Sequence, residues 1–262
     1  MSRPTALVTG GTAGLGLAFA RALADSGHDL VLVARDETRL AAVSAELSSR
    51  FGVEVETMRA DLTQRADMHQ VAARVGDPDR PVDVLVNNAG FGLNHFFVGG
   101  SLTEELRQLD ILVTAVLVAS HAAATAMKAR GRGAIITVSS VSGFTVQASY
   151  SSAKAWATNF TEVLAGELRG SGVTATALCP GFVRTEFHHR ARMNISRVPR
   201  WLWLDADEVV AACLRDVAAG RIISVPGAKY RLVAGLLQAI PRGLRWWIFW
   251  GRPGAKRSGA RR

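Results

Sequence analysis

Hydrophobic positions in this chain fall into short runs that alternate with longer stretches of mixed polarity. Each run is nearly continuous in Val, Ile, Leu and Ala, which is typical of parallel strands buried on both faces. The predicted strands are Ala6–Thr9, Leu30–Ala34, Val53–Met58, Val82–Val86, Ala134–Ser139, Val173–Leu178 and Ile222–Val225. The predicted helices are Gly14–Ser26, Glu37–Phe51, Ala66–Val75, Glu104–Arg130, Tyr150–Arg169 and Ala206–Ala219, three of which end at Gly27, Gly131 and Gly220.

This alternation predicts an α/β fold, because parallel strands require crossover connections. We expect a doubly wound parallel sheet of the Rossmann type, in three αβα layers. The chain has no internal repeat and no second core, so we expect one domain over residues 1–228 and a C-terminal extension over 229–262. Ligands of such sheets bind beyond the carboxyl ends of the strands, and the residues that follow the strands are therefore candidates for chemistry.

Charge changes this picture only at the C-terminus. The net charge is +9, but seven basic residues and no acid lie within 242–262, which leaves 24 basic and 22 acidic residues in the body. We therefore predict no nucleic-acid-binding role. Cys179 and Cys213 form neither a disulfide framework nor a zinc motif, which favours a reducing, cytoplasmic location. No signal-peptide pattern and no uninterrupted apolar segment long enough to span a bilayer is apparent.

A glycine-rich turn follows the first predicted strand and opens the first predicted helix. It reads Thr9-Gly10-Gly11-Thr12-Ala13-Gly14-Leu15-Gly16. Glycines let a backbone approach a pyrophosphate closely, and the helix N-terminus supplies free N–H groups. The strand–turn–helix context favours this interpretation over a simple packing turn.

The glycine spacing, with three further motifs, resembles the short-chain dehydrogenase/reductase family. Asn87-Asn88-Ala89-Gly90 follows the fourth strand, Tyr150 and Lys154 match Tyr-x-x-x-Lys, and Pro180-Gly181 follows the sixth strand. The resemblance extends from about Pro4 to Pro226. It implies an oxidoreductase that interconverts a carbonyl and an alcohol, paired as a homodimer or homotetramer through the two long helices.

The resemblance also implies the residues of a coenzyme site. Asp61 and Leu62 would flank the adenine, and Asp61 read alone is a helix N-cap, so both roles stay open. Asn88, Ala89 and Gly90 would line the ribose, and Val183 and Thr185 would hold the carboxamide and pyrophosphate. The full expected set is Gly10, Thr12, Gly14, Leu15, Gly16, Arg35, Asp61, Leu62, Asn88, Ala89, Gly90, Tyr150, Lys154, Pro180, Gly181, Val183 and Thr185.

Arg35 indicates which dinucleotide is preferred. An acid that would bind a ribose 2′-hydroxyl usually ends the second strand, but Ala34 holds that place here and Arg35 follows it. A guanidinium can bind a 2′-phosphate in bidentate fashion, so we predict NADP(H), with NAD(H) as the alternative. The competing interpretation is a surface cation paired with Asp36 or Glu37.

Tyr150 and Lys154 are the predicted catalytic pair, four residues apart on one helix face. An ammonium beside a phenol favours the phenolate, which would let Tyr150 act as the acid/base. Ser140 is the predicted third member and would polarise the substrate oxygen. Ser139 and Ser142 remain alternatives for that role.

Leu112 departs from the family pattern, which usually has an Asn there to support a water beside the lysine. An apolar side chain cannot bond that water, and Leu112 is equally explained as core packing. This loss sustains a second hypothesis: a dinucleotide-binding regulatory or scaffold protein with impaired catalysis.

The segment after Pro180-Gly181 corresponds to the family's substrate lid, here about residues 182–205. The candidate pocket walls are Phe91, Leu93, Phe144 and Phe187, together with Trp201 and Trp203, which suggests an apolar or lipid-like small-molecule substrate. Pocket and core aromatics cannot be separated by sequence. His188-His189 lacks partners at ligand spacing, so we predict no metal site.

The C-terminal extension joins leucine-rich turns to a Trp- and Arg-rich end. The whole extension could contact a membrane interface, or it could cover the active site or pack in a subunit interface. We expect that structural role, cover or interface, for Lys229–Ile240 and peripheral membrane contact through 242–262.

Overall fold

The computed structural model describes residues 3–187 and 198–251. Seven strands in these residues form one parallel sheet in the order β3-β2-β1-β4-β5-β6-β7. The strands are β1 (Thr5–Thr9), β2 (Asp29–Ala34), β3 (Val55–Arg59), β4 (Val84–Asn87), β5 (Gly133–Val138), β6 (Val173–Leu178) and β7 (Ile223–Ser224). The predicted doubly wound parallel sheet is confirmed, and the predicted strand ends differ from these by at most two residues.

Helices cover both faces of the sheet. They are α1 (Gly14–Asp25), α2 (Glu37–Phe51), α3 (Arg65–Gly76), α4 (Leu102–Leu109), α5 (Ala115–Arg130), α6 (Ser149–Glu167), α7 (Ala206–Ala218), α8 (Ala228–Ala239) and α9 (Arg242–Trp250). Apolar side chains of α1, α2 and α7 join one hydrophobic cluster, and those of α3, α5 and α6 join another. Because strand side chains alternate between faces, Val8 and Leu7 belong to different clusters.

Local capping explains where several helices begin and end. Asp36 and Asp205 each accept hydrogen bonds from backbone N–H groups in the first turns of α2 and α7. Gly52 and Gly131 end α2 and α5 with φ angles of 66° and 73°, in the left-handed region that glycine adopts without strain.

The predicted continuous helix over 104–130 is interrupted. A π-helical turn, Asp110–Thr114, separates α4 from α5, and Leu112 in this turn is buried with its side chain against Gly90. Such turns mark a local insertion into the helical hydrogen-bond ladder, which hydrophobic periodicity does not reveal.

By length and composition alone, the whole helical stretch Leu102–Arg130 is long and apolar enough to cross a membrane. The sequence analysis did not identify this stretch as a possible spanning segment, because charged residues near its ends interrupt the apolar run. Here Ala115, Ala119, Ala123 and Met127 of this stretch pack on the sheet in the second hydrophobic cluster. The apolar composition of this stretch is therefore explained by its packing in the core of the domain.

The first part of the C-terminal extension belongs to the packed domain. Tyr230 and Ala234 of α8 are buried, and Ala234 lies in a third cluster with Phe144, Ala177 and Cys179. Ile240 and Pro241 then separate α8 from α9, in which every residue is exposed or only partly buried.

Candidate active site

The candidate site lies where the chain reverses its direction across the sheet. From β1 the chain proceeds outward to β2 and β3, then returns so that β4 pairs with the other edge of β1. The connections that follow β1 and β4 therefore diverge and leave a crevice between them at the carboxyl edge. The glycine-rich turn and the segment Asn88–Gly90 both lie at this crevice.

The backbone of the glycine-rich turn leaves no room for side chains, so glycine is required at several of its positions. Gly10 and Gly14 have φ angles of 67° and 54°. A Cβ on Gly16 would collide with the carbonyl oxygen of Gly10, and one on Gly10 would lie 2.9 Å from Asn88 Nδ2. Ala13, at the N-cap of α1, provides no side-chain cap, so the first N–H groups of the helix face the crevice without one.

Thr9 and Asn88 hold the two sides of the crevice together. Thr9 Oγ1 donates to the carbonyl of Val86 and accepts from the N–H groups of Asn88 and Ala89, at 2.9 and 3.0 Å. Asn88 Nδ2 donates to the carbonyls of Thr9 and Gly10, at 2.8 and 3.3 Å. The amide of Asn88, expected at the ribose, therefore positions the glycine turn.

The loop after β6 closes the crevice from the other side. A Cβ on Gly14 would lie 3.2 Å from Thr185 Cβ, so Thr185 stands over the start of α1. Val183 is buried and pairs with Leu204, which joins the two described ends of the expected lid. A cradle of backbone without side chains, at an uncapped helix N-terminus, fits the pyrophosphate of a dinucleotide.

At the adenine end, Asp61 stabilises its own turn. Its Oδ1 accepts from the N–H and the hydroxyl of Thr63, at 3.1 and 2.9 Å. The N-cap of α3 is Gln64, so the interpretation of Asp61 as a helix N-cap is wrong. Leu62, expected beside the adenine, is buried.

Arg35 lies exposed immediately after β2. In the described part of the chain it makes no ion pair, and Asp36 Oδ1 instead accepts from the N–H of Arg39. Arg39 forms an ion pair of 3.3 Å with Glu186, which links the start of α2 to the loop after β6. The proposed pairing of Arg35 with Asp36 or Glu37 is not found.

Tyr150 and Lys154 share one face of α6 beside the crevice. Lys154 Nζ lies 5.7 Å from the centroid of the Tyr150 ring and donates a 2.6 Å hydrogen bond to the carbonyl of Val138, at the end of β5. Lys154 is only 6% exposed. The structure thus places both side chains next to the carboxyl end of a central strand.

Burial dominates the acidity of this pair. It raises the pKa of the Tyr150 phenol above its ordinary value and lowers the pKa of Lys154 to about 8. In the protein alone, burial outweighs the acidification expected from the neighbouring ammonium, so the net direction of the Tyr150 pKa is opposite to the predicted one. Tyr150 therefore carries its proton at neutral pH, as a proton donor to a carbonyl requires.

The structure separates the three serine alternatives. Ser139 is buried, and its hydroxyl donates to the carbonyl of Lys154 and lies 2.7 Å from Thr158 Oγ1. Ser140 is partly buried, and its Oγ accepts from the N–H of Ser142 at the start of a 3₁₀ turn, Val141–Phe144, which leaves its O–H available to donate. Ser142 lies within that turn.

Close packing sets the position of this 3₁₀ turn. A Cβ on Gly143 would lie 2.9 Å from the backbone carbon of Lys154, so the turn rests directly on α6. The N–H of Val141 donates to the carbonyl of Pro180, which ties the turn to the loop after β6.

The expected pocket walls fall into two groups. Phe187 is partly buried, with its ring centroid 6.0 Å from that of Tyr150, and Phe91 and Leu93 are also partly buried. Phe144 instead lies buried in the third hydrophobic cluster. Trp203 packs against Phe182, and Trp201 is exposed under Lys229.

Tyr230 is a positioning residue that the sequence analysis missed. Its ring fills the space beside Gly181, where any Cβ would overlap it. Its hydroxyl donates to the carbonyl of Leu202 and accepts from the N–H of Phe182, at 2.7 and 3.1 Å. The only sequence signal was a tyrosine between Lys229 and Arg231, which does not indicate its partner.

His188-His189 lies outside the described residues, as does the middle of the expected lid. Within residues 3–187 and 198–251, no group of three or more potential metal ligands occurs.

Comparisons with known proteins agree with this geometry. A family model described as short chain dehydrogenase matches residues 4–195. Galactitol 2-dehydrogenase from Rhizobium johnstonii is 32% identical over 88% of this chain and 93% of its own. The solved structure of a short-chain dehydrogenase from Sphingobium yanoikuyae in complex with NADPH is 32% identical, with a TM-score of 0.83 over 97% of this chain and 98% of that chain.

A second solved structure carries the other coenzyme. It is a short chain dehydrogenase/reductase from Burkholderia phymatum in complex with NAD, 26% identical, with a TM-score of 0.79 over 90% of this chain and 92% of that chain.

Proposed function

The chain belongs to the short-chain dehydrogenase/reductase family, and from that premise we propose that it interconverts a carbonyl and an alcohol on an apolar or lipid-like substrate, with NADP(H) preferred. An oxidoreductase acting with NAD(P) follows from the family itself. The observation that carries the finer proposal is that Lys154, next to the Tyr150 ring, bonds the Val138 carbonyl at the carboxyl end of β5, the strand end that Ser140 follows.

The chain's own residues supply proton transfer and orientation. Bound coenzyme supplies or accepts the hydride. Tyr150, protonated at neutral pH, donates its phenolic proton to the substrate oxygen in reduction and takes one up in oxidation. The Ser140 hydroxyl donates a hydrogen bond to the same oxygen and holds it beside the phenol. The Lys154 ammonium stabilises the phenolate that proton donation leaves behind.

The preference for NADP(H) rests on Arg35. Its exposed guanidinium follows Ala34 at the mouth of the crevice, with no acid at the strand end to repel a 2′-phosphate. We expect Arg35→Asp to weaken NADPH binding at least tenfold and to leave NADH binding the same or tighter. Titration of protein fluorescence with each coenzyme measures both constants. Unchanged relative affinity would show that Arg35 does not select the coenzyme.

The apolar substrate class rests on the surroundings of Tyr150. The ring centroid of Phe187 lies 6.0 Å from that of Tyr150, and Phe91 and Leu93, in the loop after β4, are partly buried. Aromatic and aliphatic walls with few polar groups favour an apolar ligand.

A panel of apolar ketones assayed with NADPH and NADH tests the reaction. Wild type should oxidise the coenzyme with at least one ketone, while Tyr150→Phe should lose at least a thousandfold in kcat and still bind NADPH. Equal turnover by Tyr150→Phe would remove Tyr150 from the reaction. No turnover by wild type on any member would overturn the substrate class.

We also propose a cytoplasmic homodimer or homotetramer. The long helices carry exposed apolar side chains, Leu106, Leu117 and Val163 among them, which suit subunit contacts. Cys179 and Cys213 are free thiols, which suits a reducing compartment. Sedimentation equilibrium of the full chain, with Leu117→Glu as the disrupting variant, tests the assembly.

A further inference from the structure

Helix α9 is apolar almost all round and yet lies at the protein surface. Trp246, Trp247 and Trp250 are 58%, 56% and 46% exposed, and Leu244 and Ile248 are 51% and 44% exposed. Only Arg245 and Phe249, one turn apart, are partly buried. A helix that is apolar on most sides is stable when a non-aqueous environment covers it.

Charge in the C-terminal part of the sequence is of one sign. Asp216 is the last acidic residue of the chain. The remaining 46 residues carry ten basic ones: Arg221, Lys229, Arg231, Arg242, Arg245, Arg252, Lys256, Arg257, Arg261 and Arg262. Tryptophan beside arginine is the composition of segments that lie at a bilayer interface, and each cation near an anionic surface adds about 1 kcal/mol of attraction.

Helix α9 is fastened to the segment that precedes Tyr150. Arg245 Nη1 donates to the carbonyl of Phe144 at 3.3 Å, and Trp250 Nε1 donates to the carbonyl of Val146. These carbonyls lie between Ser140 and Tyr150 in the chain. The exposed apolar face therefore stands at the rim of the candidate active site.

We propose that α9 docks the enzyme on an anionic lipid bilayer. The tryptophans enter the headgroup region, and the exposed Arg242 at the start of α9 contacts anionic headgroups. Docking places the rim of the site against the bilayer, so that an apolar substrate enters from the lipid. This last step rests on the proposed function, whereas the docking itself does not.

Co-sedimentation of the full chain with lipid vesicles tests the docking. Wild type should bind phosphatidylcholine vesicles that contain phosphatidylglycerol, bind those of phosphatidylcholine alone at least tenfold more weakly, and lose binding as salt is added. Tryptophan emission should shift to shorter wavelength on binding. If wild type stays in the supernatant with both kinds of vesicle at low salt, the proposal is overturned.

Two isoleucines provide a matched pair of variants. Ile248 in α9 is 44% exposed, and Ile222, just before β7 and thus at the amino edge of the sheet, is 43% exposed. We expect Ile248→Ser to weaken partition into the anionic vesicles about tenfold, and Ile222→Ser to leave it unchanged. Equal loss in both variants would contradict a role for α9 in particular.

Sedimentation equilibrium without lipid tests the competing explanation, in which a second copy of the chain covers the α9 face. If Ile248→Ser lowers the association state and leaves vesicle binding intact, the α9 face is a subunit interface and the proposal fails. Ketone reduction in lipid-free buffer is measured in parallel. It reports on the proposed function independently, because vesicle binding requires no turnover.

Discussion

Burial of the Lys154 ammonium has consequences for both activity and stability. Its pKa is lowered to about 8 by burial, although its hydrogen bond to the Val138 carbonyl favours the charged form. Below about pH 8 the folded protein therefore holds a charged, desolvated lysine. Above this pH the ammonium is lost first in the folded state.

The activity should follow this titration. We expect kcat/KM for carbonyl reduction to fall as pH rises through about 8, since the charged lysine stabilises the Tyr150 phenolate, and kcat/KM reports groups of the free enzyme. Rates measured between pH 6 and 10 on one ketone check this. A flat profile across that range would show that Lys154 does not titrate there or does not act.

Stability should change with pH in the opposite direction. Unfolded Lys154 keeps its proton up to its ordinary pKa near 10.5, so wild type gains stability as pH rises from about 8 towards 10.5. Below about pH 8, burying the charged Lys154 lowers the free energy of unfolding by a few kcal/mol, because one pKa unit corresponds to about 1.4 kcal/mol. Lys154→Met has no such charge to bury. In urea unfolding, the unfolding free energy of Lys154→Met relative to wild type should be highest below pH 8. This difference should become smaller as the pH rises above 8.

The two neighbouring serines should respond differently to alanine. Ser140→Ala should lower kcat about a hundredfold or more, because in the proposed reaction its hydroxyl donates to the substrate oxygen, and should cost about 1 kcal/mol of unfolding free energy, because its Oγ also accepts from the N–H of Ser142. Ser139→Ala should cost about 1–3 kcal/mol of stability, since Thr158 and the Lys154 carbonyl lose a buried partner. Kinetics and urea unfolding on both variants distinguish the roles, and reversed results would reassign them.

Helix α8 supports the site through one side chain. The Tyr230 hydroxyl joins α8 to the carbonyl of Leu202 and to the N–H of Phe182, at the two described ends of the lid segment. Its ring fills the space that Gly181 leaves. The helix therefore braces the loop that carries Val183 and Thr185.

The two tyrosines of the chain, Tyr230 and Tyr150, offer a matched test of the bracing by α8. We expect Tyr230→Phe to lose about 1–2 kcal/mol of unfolding free energy and to weaken coenzyme binding, because two hydrogen bonds disappear. Tyr150→Phe should leave the unfolding free energy nearly unchanged, since the Tyr150 hydroxyl makes no hydrogen bond among the described residues. Equal destabilisation by both would contradict the bracing role of α8.

The π-helical turn is the element that the hydrophobic pattern could not predict. Leu112 within it packs against Gly90, at the side of the crevice expected to line the ribose. The Leu112 side chain thus puts apolar surface directly against Gly90. The interpretation of Leu112 as core packing therefore agrees with its burial.

For the whole molecule, the extension divides into two parts with different consequences for folding. Ending the chain after Pro241 removes α9, which has no buried residue, and should lower the unfolding free energy by less than about 1 kcal/mol. Ending it after Gly227 also removes buried Tyr230 and Ala234, and should cost several kcal/mol. Thermal unfolding of both truncated chains checks this. Equal loss in both would place α9 in the packed domain.

What the sequence alone determined was everything encoded in short-range pattern. Apolar runs and helical periods predicted seven strands and the helices that connect them, except the π-helical turn between α4 and α5, because burial on one or two faces repeats over a few residues. The glycine turn and the Tyr150–Lys154 spacing located the crevice, because motifs after parallel strands meet at one edge of the sheet.

What only the tertiary structure decided depends on contacts between distant residues and on burial. Ser139 and Ser140 are adjacent and identical in type, and only their partners on α6 and in the 3₁₀ turn separate them. The direction of the Tyr150 pKa follows from desolvation, and the bracing by Tyr230 joins residues 48 positions apart. Such effects arise from the surroundings that the folded chain creates, and local sequence carries no record of them.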